Sequence, residues 1–282
     1  MSRILEFAKM HGTGNDFVVL DGLERELPPL EALARQLLDR QFGIGADQLL
    51  VARPSRSADF RVEIYNPDGS AAEMSGNGIR VFYKYLRDRG LTSADEIAVE
   101  TLGGVVRPRW AGADRVSVDM GRPVLAPAKI PTTLGRGEGP VLDAPLEVDG
   151  ETLRVSCVSM GNPHAVVFVP DPDATPVERL GPRIEHHPAF PNRVNVEFVT
   201  PVDRTRIRQR SWERGTGETL SCGSGASAVA VVSILRGVVD RALTVEVRGG
   251  ELQISWQGDG ASVLLTGPAA EVFTGRIPIA EG

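Results

Sequence analysis

The sequence has 282 residues, of which 41% are hydrophobic and 24% are charged, so it suits one large or two small globular domains rather than a disordered chain. Its net charge of −6 argues against nucleic-acid or anionic-membrane binding as the main function. Two cysteines cannot form a disulfide framework, and the four histidines show no metal-binding spacing. Without a membrane span or signal core, the sequence predicts a soluble cytoplasmic protein that holds no metal.

In chain order, the spacing of apolar residues predicts mainly strands with a few helices. The predicted elements are a surface helix at 31–40, a half-buried strand at Phe60–Tyr65, a buried helix at 79–86, and half-buried strands at 115–120, 193–198, 206–212 and 243–248. Residues 226–235 are apolar on nearly every side, which is typical of a helix enclosed by sheet.

An internal repeat organises these elements. A strand, a glycine-containing turn, a Gly-x-Gly segment and a helix follow one another in each half of the chain, so that Ser75 and Cys222 hold the same place 147 positions apart. Asn66 precedes Ser75 by nine positions, as Glu213 precedes Cys222. The chain is therefore predicted to fold as two similar halves, each a copy of the same structural unit.

The repeat predicts an α+β fold of two pseudo-symmetric halves, each a mostly antiparallel sheet or barrel wrapped around a central helix. We expect residues 1–122 with 268–282 to form the half that carries Ser75. Residues 123–267 would form the half that carries Cys222. The Pro- and Gly-rich stretch 121–139 is the predicted linker.

Each half places a small polar residue before Gly-x-Gly at a predicted helix start. The glycines let backbone N–H groups approach a ligand closely, and a helix N-terminus favours a carboxylate or phosphate. The same position lowers the pKa of a thiol, which makes Cys222 a candidate reactive cysteine; a buried structural cysteine is the alternative. The segment 223–228 also fits a loose dinucleotide-binding pattern, but no strand leads directly into it.

Seven motifs together give the chain a resemblance to one family. They occupy residues 9–17, 43–48, 65–70, 75–80, 161–164, 195–198 and 212–226. The chain resembles the diaminopimelate epimerases over nearly its whole length. The resemblance implies a cofactor-independent enzyme, possible as a homodimer, that interconverts LL- and meso-diaminopimelate for lysine and peptidoglycan synthesis. It also implies two pseudo-symmetric halves that close over this small-molecule substrate.

The resemblance carries roles onto individual residues. Cys222 matches the proton acceptor, Glu213 its orienting and substrate-contacting partner, and His164 the partner of the first-half acid/base position. Arg214 matches the residue expected near the distal carboxylate of the substrate. The residues that match substrate-binding amide and backbone groups are Asn15, Gln48, Asn66, Gly76, Asn77, Asn162, Asn195, Gly223 and Ser224.

The chain departs from the family at Ser75, where the family has its first catalytic cysteine. A serine hydroxyl is far less acidic than a thiol and does not ionise near neutral pH without a strong neighbouring base. Three interpretations are open: a deliberately inactivated protein, a natural variant with slowed or altered chemistry, and a substrate-binding protein without turnover.

Two further functions compete with diaminopimelate epimerisation. Proline-type racemases share the two-thiol chemistry, so another amino acid is an alternative substrate, although Arg214 and the asparagine-rich set favour one with a second polar end. A cysteine hydrolase that uses Cys222 and His164 is the other alternative, but it leaves the internal repeat unexplained.

Overall fold

The computed structural model describes residues 2–135, 137, 139–258 and 260–280. The chain forms two compact units, Met1–Val118 with Thr266–Gly282 and Asp119–Leu265. Most regular elements are strands, so the α+β class is confirmed. Among the described residues, no helix is both long and apolar enough to cross a bilayer.

The elements alternate between strands and a few helices. The strands are β1 Ser2–Gly12, β2 Asn15–Asp21, β3 Gln48–Arg53, β4 Phe60–Tyr65, β5 Val99–Thr101, β6 Gly104–Val106, β7 Arg109–Gly112, β8 Arg115–Asp119, β9 Val141–Val148, β10 Glu151–Ser159, β11 Pro163–Phe168, β12 Asn195–Asp203, β13 Arg206–Glu213, β14 Gly217–Thr219, β15 Ala242–Val247, β16 Gly250–Ser255, β17 Leu264–Pro268 and β18 Ala270–Ala280. The α-helices are α1 Leu30–Leu38, α2 Gly76–Asp88, α3 Val177–Glu185 and α4 Gly223–Leu235, and a 3₁₀ helix covers Pro127–Lys129.

The first unit is built on one sheet with strand order β18-β1-β2-β3-β4-β5-β6. Its pairings are antiparallel except for β2–β3 and β4–β5. Helix α2 packs on β1, β2 and β3. The predicted apolar face of α2 is buried, and burial extends around the helix from Asn77 to Leu86.

The second unit repeats this arrangement around α4, with strand order β9-β10-β11-β12-β13-β15-β16. Here β11–β12 and β13–β15 are the parallel pairs. Helix α4 packs on β10, β11, β12, β15 and β16. Its alanines and valines are fully buried, which agrees with the prediction of an enclosed helix.

The repeat extends to strand register. Phe17 pairs with Gln48 across β2 and β3, and His164 pairs with Asn195 across β11 and β12, so both members of the pair are shifted by 147 positions. The antiparallel pairs 49–65 and 196–212 are related by the same shift. Residue-by-residue correspondence therefore holds well beyond the two Gly-x-Gly segments.

Two local predictions need correction, and one helix was not predicted. The strand predicted at 193–198 begins only at Asn195, because Arg193 has a left-handed backbone, and it continues to Asp203. The predicted linker 121–139, of which 136 and 138 lie outside the described residues, belongs to the second unit, where Ile130 is fully buried. Helix α3 was not predicted, since Gly181 and Pro182 interrupt its sequence.

Candidate active site

Ser75 and Cys222 are the N-cap residues of α2 and α4. Ser75 Oγ accepts a hydrogen bond of 3.1 Å from the Gly78 amide, and Cys222 Sγ accepts one of 3.3 Å from the Gly225 amide. Both caps have extended backbone angles, φ −142° and ψ 114° against φ −118° and ψ 111°. The two units thus present equivalent side chains at the positive end of a buried helix.

In the first unit, amide side chains surround the α2 cap. Asn77 Nδ2 donates to Asn15 Oδ1 at 3.2 Å, and Asn15 Nδ2 donates to Asp47 Oδ2 at 2.7 Å. Gln48 Nε2 donates to Asn66 Oδ1 at 3.0 Å. Because the Asp47 carboxylate can only accept, it fixes the orientation of the Asn15 amide.

A set of ion pairs adjoins this amide cluster through Asp47. Asp16 pairs with Lys9 at 2.7 Å and with Arg40 at 2.8 Å, and Arg40 also pairs with Asp47 at 2.7 Å. Burial alone would raise the pKa of Asp16, but hydrogen bonds from Arg40 and Lys9 lower it to about 2. The two cations and two carboxylates balance each other in charge.

Arg80, one turn into α2, is fully buried. Its guanidinium donates to Pro268 O at 3.4 Å, to Gly76 O at 3.5 Å and to Thr13 Oγ1 at 3.4 Å. No carboxylate of the described residues forms an ion pair with it. Burial, with a smaller effect of Arg115, lowers the pKa of Arg80 to about 9, so the side chain is still a cation at neutral pH.

In the second unit, His164 lies in a buried polar network. Its Nδ1 is 3.0 Å from Glu197 Oε1, and its Nε2 is 3.0 Å from Asn162 Oδ1. Glu197 also accepts from Gln209 Nε2 at 2.7 Å and from Ser211 Oγ at 2.5 Å. Glu197 is fully buried, and its two carboxylate oxygens have polar partners in His164, Gln209 and Ser211.

Cys222 faces carboxylates, which changes its expected chemistry. Burial, then the charges of Glu213 and Glu197, raise the pKa of the Cys222 thiol well above its usual value, and the hydrogen bonds from Ser224 and the Gly225 amide compensate only in part. Burial also raises the pKa of Glu213, which hydrogen-bonds to Cys222 and accepts from Thr219 at 2.6 Å. The Gly225 amide at the helix start does lower the thiol pKa as predicted, but burial and the two carboxylates outweigh it, so the predicted net lowering is wrong.

Asn195 and Arg214 form the remaining polar part of this unit. Asn195 Nδ2 donates to Pro163 O at 2.9 Å, and its Oδ1 accepts from the Arg214 backbone amide at 2.9 Å. The exposed Arg214 side chain donates to Asn192 O at 3.1 Å. Ser224 Oγ lies 3.5 Å from Cys222 Sγ.

The predicted residues thus form two groups. Within the first unit, the structure brings together Asn15 with Asn77 and Gln48 with Asn66, and it puts Gly76 in the first turn of α2 beside Ser75. Within the second unit, the structure brings together Asn162 with His164, Asn195 with Arg214, and Glu213, Gly223 and Ser224 with Cys222. His164 directs both ring nitrogens at oxygens rather than at the Cys222 thiol, so the pair that a cysteine hydrolase would need is not formed.

Comparison with known proteins matches this pattern. A family model described as diaminopimelate epimerase matches residues 7–126 and 156–272. The chain is 49% identical to the diaminopimelate epimerase of Moorella thermoacetica and 46% identical to that of Acetivibrio thermocellus, in each case over 98% of this chain and all of the relative. This chain belongs to the diaminopimelate epimerase family.

Solved structures with much lower identity share the fold of the diaminopimelate epimerase family. A Bacillus anthracis phenazine biosynthesis protein of the PhzF family has a TM-score of 0.72 at 16% identity and covers 98% of this chain and all of its own. A hydroxyproline epimerase from Agrobacterium vitis has a TM-score of 0.67 at 20% identity, covering 98% and 91%. The pseudo-symmetric two-domain fold predicted from the repeat is confirmed.

Reasoning from the sequence missed Glu197, Gln209 and Ser211 as members of this site. Their signal was available, since Glu197 lies within a family motif and Gln209, Ser211 and Glu213 alternate along β13. Alternation places these side chains on the same face of the strand. Asp47 was missed similarly, although it lies within the motif at 43–48.

Proposed function

We propose that this chain has the active site of a diaminopimelate epimerase that lacks one of its two thiol acid/base groups, because Ser75 occupies that position. The observation that carries the proposal is the pair of equivalent helix caps, each with one acid/base position and its own amide-rich surroundings, in a chain of this family. Inversion of a carbon centre needs one group to remove the α-proton and another to return a proton to the opposite face.

The polar groups suit an amino-acid substrate. Backbone N–H groups at the starts of α2 and α4 are suited to the α-carboxylate, where negative charge develops after proton removal. The amides of Asn15, Asn77, Asn162 and Asn195 are suited to the substrate's ammonium and carboxylate groups. Arg214, exposed and without a carboxylate partner among the described residues, is suited to a distal carboxylate.

In this proposal, Ser75 is the residue that impairs turnover. Its hydroxyl accepts a hydrogen bond from Gly78 and would have to ionise to remove an α-proton, which a serine does not do near pH 7 without a strong base. Cys222 is held as a neutral thiol by its surroundings. The chain as it stands then binds substrate with an acid in place and no ready base.

Hydrogen exchange at the α-carbon tests this proposal. LL- and meso-diaminopimelate are incubated in deuterated water with the parent protein, Ser75→Cys, and Ser75→Cys combined with Cys222→Ser. We expect Ser75→Cys to epimerise at least about 100-fold faster than the parent, the usual scale of one general acid or base, and the double variant to lose that gain.

The outcomes separate the interpretations of Ser75. Epimerisation by the parent at a rate close to Ser75→Cys would show that serine or a water serves as the second group, and would refute the impaired state. If folded Ser75→Cys neither exchanges nor epimerises either isomer, the substrate assignment fails, and proline and other amino acids become the substrates to test.

Cytoplasmic location, a homodimer and independence of cofactors and nucleic acid stay predictions.

A further inference from the structure

The repeat places chemically different residues at corresponding positions around the N-caps of α2 and α4. A shift of 147 positions relates four apolar residues of the first unit to polar residues of the second, an asparagine to a glutamate and an arginine to a neutral serine. The register of β2–β4 against β11–β13 confirms the pairing for the strands. The corresponding residues are Phe17 and His164, Leu50 and Glu197, Val62 and Gln209, Ile64 and Ser211, Asn66 and Glu213, and Arg80 and Ser227. All except Asn66 and Glu213 are nearly or fully buried.

Behind the cap of α2, the only buried charge of this set is Arg80. Its guanidinium is 3.5 Å from the carbonyl of Gly76, the residue next to Ser75, and Ser227 bonds the corresponding carbonyl of Gly223 at 2.9 Å. Arg80 and Ser227 thus correspond in sequence position, and each side chain also contacts the carbonyl of the first residue of its helix. One is a cation and the other is neutral.

Other charged groups near the α2 cap do not cancel Arg80. Lys9 and Asp16 on β1 and β2, with Arg40 and Asp47, form the balanced ion-pair cluster behind Asn15. Arg115 on β8 adds positive charge, and Glu73, just before the cap, is exposed to solvent. A low-dielectric interior screens the Arg80 charge far less than water does.

Behind the cap of α4, the charges are reversed. Burial raises the pKa of Cys222, and the charges of Glu213 on β13 and Glu197 on β12 raise it further. His164 on β11 contacts Glu197 through its Nδ1 at 3.0 Å. The carboxylate of Glu197 packs so closely on α4 that a β-carbon built on Gly225 would lie 2.4 Å from its Oε1.

We propose that Arg80 and Glu197 are positioning residues that give the two caps opposite charge preferences, so that position 75 favours an anion and Cys222 keeps its proton. This deepens the proposed function and rests on it for its role in turnover. With cysteine at position 75, the α-proton would pass from the substrate carbon to the thiolate at 75. The Cys222 thiol proton would pass to the opposite face of the carbon.

The proton balance of that step leaves a thiol at 75 and a thiolate at 222, and exchange with water restores the starting state. Glu197 makes the thiolate at 222 costly and so drives this reset. Cys222 then acts first as the donor, whereas the family resemblance implies that it is the acceptor.

A titration without substrate tests the proposal. Ser75→Cys protein is labelled with ¹³C at the cysteine β-carbons, whose chemical shifts report thiol and thiolate irrespective of access, and is titrated from pH 5 to 10 under reductant. The resonance at 75 is the one that the parent lacks, and a Cys157→Ser variant identifies the resonance of the second parental cysteine, so that Cys222 is assigned as well. We expect the cysteine at 75 to titrate about two pH units or more below Cys222.

Variants assign that difference to the two buried charges. Arg80→Gln in the Ser75→Cys protein is expected to move the midpoint at position 75 up by about one pH unit or more, while Arg80→Lys, which keeps the charge, retains most of the low value. Arg87→Gln, at the far end of α2, is the matched control and should move it by a few tenths at most. Glu197→Gln is expected to lower the midpoint of Cys222 and leave position 75 unchanged.

Two results would overturn the proposal. One is a cysteine at 75 that titrates at or above Cys222. The other is an equal midpoint in Arg80→Gln and Arg87→Gln, with near-ultraviolet circular dichroism confirming that both are folded. Because no substrate is present, this failure is distinct from failure of the proposed epimerase activity.

Discussion

Gly225 is a position at which a single added methyl group should disturb the buried polar network of the second unit. In Gly225→Ala, the new β-carbon would lie 2.4 Å from Glu197 Oε1 and 2.7 Å from its Cδ. The carboxylate cannot move away freely, because His164, Gln209 and Ser211 hold its two oxygens by hydrogen bonds. Either the helix start or the buried network must therefore move.

The cost follows from these contacts. Overpacking a buried site costs about 1–3 kcal/mol, and weakened hydrogen bonds to a buried carboxylate add about 1–3 kcal/mol. Replacing a helical glycine by alanine returns about 0.5–1 kcal/mol. We expect a net loss of about 2–4 kcal/mol in the free energy of unfolding of this unit, or roughly 10 °C in its melting temperature.

Gly78→Ala is the matched control at the equivalent position of the first unit. There the new β-carbon would lie 3.0 Å from the side chain of Ser75 and 3.3 Å from Phe17 Cε1, and we expect a loss of about 1 kcal/mol or less. Calorimetry measures the melting temperatures of Gly225→Ala and Gly78→Ala. Equal stability of the two variants would refute the view that Glu197 is rigidly held against α4.

Two more predictions concern titrating groups. The pKa of Asp16 is lowered to about 2, so its ion pairs contribute stability above pH 4 that is lost as the pH falls from about 4 to 2. After allowance for solvent screening, the free energies of unfolding of the parent and Asp16→Asn should differ by about 1 kcal/mol above pH 4, and identical midpoints of acid unfolding would contradict this. Burial raises the pKa of Cys157 to about 12, so iodoacetamide should label Cys157 only in denaturant. Mass spectrometry of the peptides measures this, and labelling of Cys157 in the native protein near pH 7 would contradict its place in the core.

Helix α4 could be predicted from the sequence and α3 could not, for physical reasons. An apolar run with no polar face reads as an enclosed helix whatever surrounds it. Helix α3 contains Gly181 and Pro182, two residues that normally interrupt helices. Gly181 is required there by a tertiary contact, since a β-carbon would lie 2.4 Å from Trp212 Cγ, and a local pattern does not contain that contact.

The candidate site divides in the same way. The position of Cys222 at a helix start followed from the repeat, but the direction of its pKa did not. The helix dipole is a local property, whereas the opposing carboxylates come from neighbouring strands β12 and β13. Strand β12 is also buried on both faces, with Val196 and Phe198 in one core, so alternation alone did not mark Glu197 as part of a site.

The covalent union of the two repeats has an evolutionary consequence. If each repeat were a separate half-length chain that assembled as a symmetric dimer, every mutation would appear twice, and a buried arginine introduced at one helix would also appear at the other. Tandem duplication within one gene removes that constraint. Arg80 in one copy and Glu197 in the other could then be acquired independently, which lets an inherited symmetric scaffold acquire a chemical direction.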